Sequence, residues 1–221
     1  MLAVLLLTLA LTPPDAVVRA VAEPDGWVDV GSDTRDGVGP IHARHKALDG
    51  VDCLEASTVT TQPPALLREI ILDIPGNLQW SSADLKRSIV LDDRDGRIDY
   101  VQVLGMPPPF SDRYWFLRGQ VVEGTDGPGS WSFSWARIDG AALYPAQSAA
   151  LKDDFNDPVE ITLNVGSWAL LPHAEGTVAR FRSCSDAGGA VPRWAGEKAA
   201  RMMLPNNVVD LVKEAERRGA L

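Results

Sequence analysis

Nine short strand-like runs, followed by one long helix-like stretch, constrain the fold of this chain more than any other feature of its sequence. Apolar or β-branched residues recur at alternate positions in these runs, which is typical of strands with one covered face. Turn sequences rich in Asp, Gly and Pro separate several of them. The runs cover residues 26–30, 41–48, 53–61, 87–91, 98–104, 114–122, 131–138, 161–171 and 176–183. This order predicts a long antiparallel meander.

Two segments have helical character. Residues 63–73 begin at a proline pair and end before a Pro-Gly stop, which predicts a short helix between strands. Residues 192–218 predict a long C-terminal helix, in which Pro205 should introduce a kink or a division. The spacing of its apolar residues forms one stripe. The stripe consists of Leu204, Val208, Leu211, Val212 and Ala215.

Composition excludes several kinds of partner. The chain has 221 residues, of which 45% are hydrophobic, and this suffices for one sizeable core, so we expect a single domain. Its formal net charge of −9 argues against nucleic acid and against strongly anionic membranes, because phosphate binding requires a basic stripe. We expect no nucleic-acid partner.

The first eleven residues contain an apolar run, residues 2–11, which is too short to cross a bilayer. It has the length of the apolar core of a signal peptide, and it also fits an N-terminal helix that packs on the domain. We assign residues 1–21 to such a signal peptide or helix. We favour export, which predicts a periplasmic or secreted protein, with a cytoplasmic location as the alternative.

Two cysteines, Cys53 and Cys184, lie at ends of strand-like runs. They can form a disulfide if those strands are antiparallel neighbours, and an exported protein would keep it. In a cytosolic protein two buried thiols are the better interpretation. Their separation does not fit a metal site, and we predict no metal and no cofactor.

A series of landmarks along residues 22–218 resembles the START (StAR-related lipid transfer) domain. These landmarks are three strands, a short helix that begins at a proline pair, Trp80 soon after it, a hairpin, the sequence PPPFSDR at 107–113, further strands, and a long final helix entered through VPRW at 191–194. The resemblance spans nearly the whole chain. The order of the landmarks is more specific than any one of them.

The resemblance implies an α+β helix-grip fold, in which a curved antiparallel sheet wraps around the C-terminal helix and encloses a tunnel for one hydrophobic molecule. It implies a monomeric carrier of a lipid, fatty acyl or sterol-like ligand, with transient membrane contact during exchange. It also implies that the third strand lies beside the last, which is the adjacency that a Cys53–Cys184 bond requires.

Aromatic residues alternate with serine in the run WSFSW, so that Trp131, Phe133 and Trp135 share one strand face. Such a stripe is more often ordinary core, and the resemblance brings a cavity lining level with that interpretation. On the preceding strand Trp115 and Leu117 share a face, on which Gly119 leaves room. In the C-terminal helix, adaptable methionines are suited to closing over a ligand. These are Met202 and Met203.

The sequence departs from the pattern of several steroid-binding START domains, which resemble one another in carrying a charged pair inside the tunnel. The matching positions here are Tyr100 and Gly119, so the pair is missing, and Arg118 points to the opposite strand face. Tyr100 and Gln102 remain the candidate hydrogen-bonding groups. We expect Arg113 to anchor the proline-rich turn, or alternatively to bind an anionic headgroup.

No catalytic motif occurs in the sequence. The spacing of His42 and His45 puts the two rings on opposite strand faces, and the acidic stretch 152–157 is interpreted as a solvated loop. We predict a binding protein that is not an enzyme. The alternatives are a polyketide cyclase or aromatase acting on a molecule in the cavity, and a sensor whose ligand alters the last helix.

Overall fold

The computed structural model describes residues 14–48, 51–155, 157–186 and 188–220, so the apolar run 2–11 lies outside the described residues. Within these ranges there are ten strands. They are β1 (Val28–Arg35), β2 (Val38–Leu48), β3 (Val51–Thr60), β4 (Leu85–Arg94), β5 (Arg97–Leu104), β6 (Arg113–Glu123), β7 (Trp131–Arg137), β8 (Val159–Glu160), β9 (Asn164–His173) and β10 (Gly176–Ser185). The same ranges contain six helices. They are α1 (Pro14–Ala22), α2 (Pro64–Leu72), α3 (Asn77–Trp80), α4 (Gly140–Leu143), α5 (Pro145–Asp154) and α6 (Arg193–Gly219).

The strands form one curved sheet in the order β1-β2-β3-β10-β9-β7-β6-β5-β4, and every pairing along this path is antiparallel. Short β8 pairs with β6 in parallel. The predicted α+β helix-grip architecture is confirmed, because the sheet wraps around the long C-terminal helix. All nine predicted runs overlap strands.

Pairing of β3 with β10 joins the two ends of the meander. Cys53 lies directly opposite Cys184 in this register, and the two residues form a disulfide across a separation of 131 residues. The pairing that the resemblance implied is therefore present. Both cysteines are fully buried on the outer face of the sheet, in a small apolar cluster with Val165.

Helix α1 covers this cluster. Its residues Val17 and Val21 are buried there. Its last carbonyl groups accept hydrogen bonds from cations of the sheet: Lys46 Nζ donates to Ala20 O (2.7 Å) and Arg182 Nη1 to Val21 O (2.8 Å). Cations at a helix C-terminus satisfy its unpaired carbonyl groups. Helix α1 is therefore packed on the sheet through Val17 and Val21, which is the arrangement that the alternative of a packed N-terminal helix describes for this part of residues 1–21.

Helix α6 is the element around which the sheet closes. Its predicted apolar stripe, Leu204 to Ala215, is buried in the main core. Pro205 does not divide the helix, which is continuous from Arg193 to Gly219. Arg35 at the end of β1 spans the proline: its Nη1 donates to Met202 O (2.7 Å) and to Asn206 Oδ1 (2.9 Å).

The segment between β7 and β9 holds structure that the sequence interpretation missed. Helices α4 and α5 cover the outer face of β5 and β6, where Leu151 packs on Phe116 in a separate cluster. The interpretation of residues 152–157 as a solvated loop was wrong for residues 152–154, because these form the last turn of α5. Phe155 is then held beneath Arg87, whose guanidinium carbon lies 4.6 Å from the ring centroid.

Candidate ligand-binding cavity

A cavity of about 1270 Å³ lies between the concave face of the sheet and helix α6. Strands β3, β5, β6, β7, β9 and β10 contribute to its wall, together with α2, α6 and the loops around residues 80–85, 105–110 and 185–191. It exceeds the roughly 300–1,000 Å³ that is usual for small-molecule pockets. Its size therefore suits a ligand as large as a lipid.

Five rings on strands β5, β7, β9 and β10 form what we call the aromatic floor. Its members are Tyr100, Phe133, Trp135, Trp168 and Phe181. The ring centroids follow one another at 6.3 Å (Tyr100–Phe133), 6.2 Å (Phe133–Trp135), 5.6 Å (Trp135–Phe181) and 4.7 Å (Phe181–Trp168). Each ring lies at a position of its strand that faces the cavity, and the residues on either side of it in the sequence face the other side of the sheet.

Glycines on the neighbouring strands make room for these rings. Trp135 is paired with Gly119 on one side and with Gly166 on the other. A Cβ atom at Gly119 would overlap the Phe133 ring, and one at Gly166 would overlap the Trp135 ring. The room that the sequence predicted at Gly119 is therefore occupied by a ring of the floor.

The side chain of Gln102 on β5 takes part in a chain of hydrogen bonds near the opening of the cavity. Trp115 Nε1 donates to Gln102 Oε1 (3.2 Å), and Gln102 Nε2 donates to Ser88 Oγ (3.0 Å). Ser88 Oγ in turn donates to Ile74 O (2.6 Å). Gln102 lines the cavity as predicted, but both ends of its amide are already bonded to the protein.

Tyr100 differs from Gln102 in this respect. Its side chain is buried in the floor, and no described residue forms a hydrogen bond with its hydroxyl group. Burial raises the pKa of Tyr100, because the apolar surroundings disfavour the phenolate. The hydroxyl group therefore stays protonated at neutral pH and can donate to a molecule in the cavity.

Asn164 is a cavity residue that sequence reasoning missed. Its Oδ1 accepts from Trp135 Nε1 (3.0 Å). An indole N–H only donates, so the amide must present its oxygen to Trp135, and its NH₂ group has no partner among the described residues. The signal for this residue was its alternation with Gly166 and Trp168, which puts it on the aromatic face.

Arg113 lies at the opening of the cavity, where it is almost fully buried. Its Nη1 donates to Ser111 O and its Nη2 to Gly188 O (3.2 Å). The pKa of Arg113 is lowered, because the effect of burial exceeds the opposing effect of nearby Asp112. These contacts match the expected role as an anchor of the proline-rich turn, in which Asp112 also accepts from Lys86 Nζ (2.9 Å).

A charged pair does exist on β5 and β6, but it lies on the opposite face of the sheet. Asp99 is fully buried and accepts from Arg118 Nε and Nη2 (both 2.7 Å) and from Tyr144 OH (2.7 Å). The bonds from Arg118 lower the pKa of Asp99, and burial together with Asp99 raises that of Tyr144 to about 12. The inward positions are Tyr100 and Gly119, so the cavity lacks this pair.

Two predicted ligand-binding residues lie outside the cavity. Trp131 points to the same side of β7 as Trp135 but lies beyond the end of the cavity, where the Arg68 guanidinium carbon is 5.7 Å from its ring centroid. Met202 is 62% exposed and does not line the cavity, whereas Met203, about 100° further round the helix, lines it and is 48% exposed. The remaining predicted residues line the cavity. These are Tyr100, Gln102, Arg113, Trp115, Leu117, Phe133, Trp135 and Met203.

Carboxylates dominate the charge around the cavity. The described lining includes one cationic side chain, Arg113, and five acidic ones. The acidic residues are Asp52, Asp84, Asp186, Glu197 and Asp210. Asp210 accepts from Ser82 N (2.8 Å) and Ser82 Oγ (2.7 Å), and this contact fastens α6 to the loop after α3. No three metal-ligating side chains cluster anywhere in the described ranges.

Solved structures with the same architecture include START-domain proteins. The STAR-related lipid transfer protein of Xanthomonas axonopodis superposes with a TM-score of 0.70 and 17% identity, over 87% of this chain and 99% of that one. The protein has the START helix-grip fold. Human STARD10 gives a TM-score of 0.71 and 13% identity, over 94% and 81% of the two chains.

The same START fold also occurs in enzymes. An aromatase/cyclase from Streptomyces superposes with a TM-score of 0.55 and 13% identity, over 76% of this chain and 95% of that one. No family model matches the sequence, and neither does any curated protein. Among the described helices, none is long and apolar enough to span a membrane.

The two tryptophans of β7 provide a matched test of the cavity. We expect Trp135→Leu and Trp131→Leu each to lower the free energy of unfolding by about 2–4 kcal/mol, since each removes a buried ring. Only Trp135→Leu should weaken binding of a hydrophobic fluorescent probe such as Nile red. Urea denaturation and probe titration measure the two effects. Equal loss of probe binding in both variants would show that Trp135 acts only as core.

Proposed function

We propose that this protein is a carrier that binds one lipid or similar hydrophobic molecule in the cavity. The observation that carries this proposal is the aromatic floor: five large rings border a space of about 1270 Å³ that the described helices and loops leave unfilled. Burial of apolar surface contributes roughly 25 cal/mol per Å², so a long hydrocarbon chain gains much by entering such a site. The lipid transfer proteins of the same fold support this proposal.

The first half of α6 supports a further part of the proposal, namely transient contact with membranes during ligand exchange. Residues 194–203 are mostly exposed, whereas the helix beyond Leu204 is buried on its inner side. Trp194 is 70% exposed and Met202 62%. Ala199, Ala200 and Met203 of the same half line the cavity. A lightly packed helical segment that exposes Trp194 and Met202 beside the cavity suits insertion of these side chains among lipids.

A cyclase activity is the second candidate, and the aromatase/cyclase of similar fold is the observation that favours it. Proton transfer to a bound chain requires an acid or base beside it. The aromatic floor supplies only the hydroxyl group of Tyr100, and the raised pKa keeps this group un-ionised and only weakly acidic at neutral pH. The five carboxylates of the lining are not part of the floor, and Asp210 among them is held by Ser82. The arrangement therefore favours a carrier over an enzyme.

We also propose that the protein is exported and acts as a monomer in an oxidising compartment. The Cys53–Cys184 disulfide supports this location, because such bonds persist in the periplasm and outside the cell and are rare in the cytosol. The apolar run 2–11 in the sequence is consistent with an export signal.

Native mass spectrometry of the protein tests these proposals together. The protein should be isolated from osmotic-shock fluid of the cells that make it, without detergent. We expect a monomer with the mass of the disulfide-bonded chain plus one bound lipid, which collisional activation releases. An empty chain, given retention of lipid by a START-domain control treated identically, would contradict the carrier. Recovery only from the cytosol, with free thiols, would contradict export.

The contact with membranes requires a separate measurement. Trp194→Ser should slow transfer of a fluorescent lipid from neutral vesicles into the protein severalfold while leaving its final occupancy unchanged, because the side chain lies outside the cavity. Leu143→Ser, at an exposed position of α4 on the opposite side of the sheet, is the control. Equal transfer rates in both variants would place the membrane contact elsewhere.

A further inference from the structure

Several hydrogen-bond donors in the cavity lining have no partner among the described residues: one is Trp80 Nε1, outside the aromatic floor, and two lie on or beside the floor. The Tyr100 hydroxyl and the Asn164 NH₂ group have no partner among the described residues, whereas the amide of Gln102 is occupied at both ends. Leaving a buried donor unpaired costs about 1–3 kcal/mol. A ligand that accepts these hydrogen bonds therefore binds more tightly than a plain hydrocarbon of the same shape.

The two donors lie at different places on the aromatic floor. Tyr100 is on β5, where it stacks on Phe133, and Asn164 is on β9, where it is bonded to Trp135. Three strand steps along the sheet separate β5 from β9. Both donors thus border one continuous apolar surface, so an oxygen atom on an elongated ligand can meet either of them.

The charges of the cavity oppose an anionic ligand. Five carboxylates line it against one guanidinium. Arg113 is paired with Leu104, whereas Tyr100 is paired with Leu117, so Arg113 lies four residues, or roughly 13 Å, along the strands from Tyr100. A carboxylate or phosphate beside the donors would be buried without a counter-ion, which is costly. The rings attract cations, but a cation cannot accept a hydrogen bond.

We propose that the ligand is an uncharged lipid bearing an alcohol, ketone or ester oxygen, and that this oxygen accepts a hydrogen bond from Tyr100 or Asn164 on the aromatic floor. The inference rests on the proposed carrier function and deepens it by naming the chemical class of the ligand. It makes Tyr100 a residue that determines ligand specificity. The neutral amide of Asn164 is a second donor for the same kind of oxygen.

Displacement of Nile red by a matched series of chains tests the proposal on the wild-type protein. The series is dodecane, dodecanol, methyl dodecanoate, dodecanoate and dodecyltrimethylammonium. We expect dodecanol and methyl dodecanoate to bind more tightly than dodecane, and more than about tenfold more tightly than dodecanoate, because burial of an unpaired charge is costly. Dodecanoate or the ammonium compound binding as tightly as dodecanol would overturn the proposal.

A pair of variants then identifies the donor. Tyr100→Phe should weaken binding of dodecanol and methyl dodecanoate about fivefold, the effect of one neutral hydrogen bond, and leave dodecane unchanged. Tyr114→Phe, on the outer face of the adjacent strand, is the control and should change neither. Thermal unfolding verifies that both variants are folded. Equal weakening for dodecane in Tyr100→Phe would overturn the role of the hydroxyl group.

These outcomes are distinct from failure of the carrier function. If neither Nile red nor any chain of the series binds, the proposed function fails. If all the chains bind with affinities set by hydrocarbon content alone, the carrier function stands and the inference about the polar group is wrong.

Discussion

Pairing of β3 with β10 is the constraint on which the rest of this structure depends. It joins the first three strands to the last two, and through them to β4–β7, so that one sheet can curve around α6. The disulfide between Cys53 and Cys184 fixes this pairing covalently. Helix α1 seals the same junction from outside, through Arg182 and Lys46. Without the junction, β1–β3 would be separated from the strands that carry the aromatic floor.

The curved sheet separates two kinds of chemistry by the alternation of residues along each strand. On β5, Asp99 faces outward and is bonded to Arg118 and Tyr144, whereas the next residue, Tyr100, faces the cavity. Charge is thereby kept on the side where helices α4 and α5 cover it. The matching positions on the cavity side are Tyr100 and Gly119, which carry no charge. An offset of one residue thus decides whether this part of the cavity wall holds a charged pair.

The sequence predicted those features that depend on local periodicity. The inward positions of Phe133 and Trp135 follow from alternation, and the buried stripe of α6 from helical spacing. Periodicity could not reveal that Trp131, on the same face, lies past the end of the cavity under Arg68. Nor could it identify the unpaired NH₂ group of Asn164, because the amide is oriented by a hydrogen bond from an indole on a neighbouring strand. Such features arise from contacts between distant segments, which one-dimensional patterns do not encode.

The proposed function depends on one uncharged lipid held in the cavity against the aromatic floor. A high-resolution crystal structure of the protein purified without detergent or delipidation would reveal this lipid directly. We expect continuous elongated electron density along Phe133 and Trp135, with a ligand oxygen at about 2.7–3.0 Å from the hydroxyl group of Tyr100 or the NH₂ group of Asn164. A cavity filled only by ordered water, or a charged headgroup bound beside Tyr100, would contradict it.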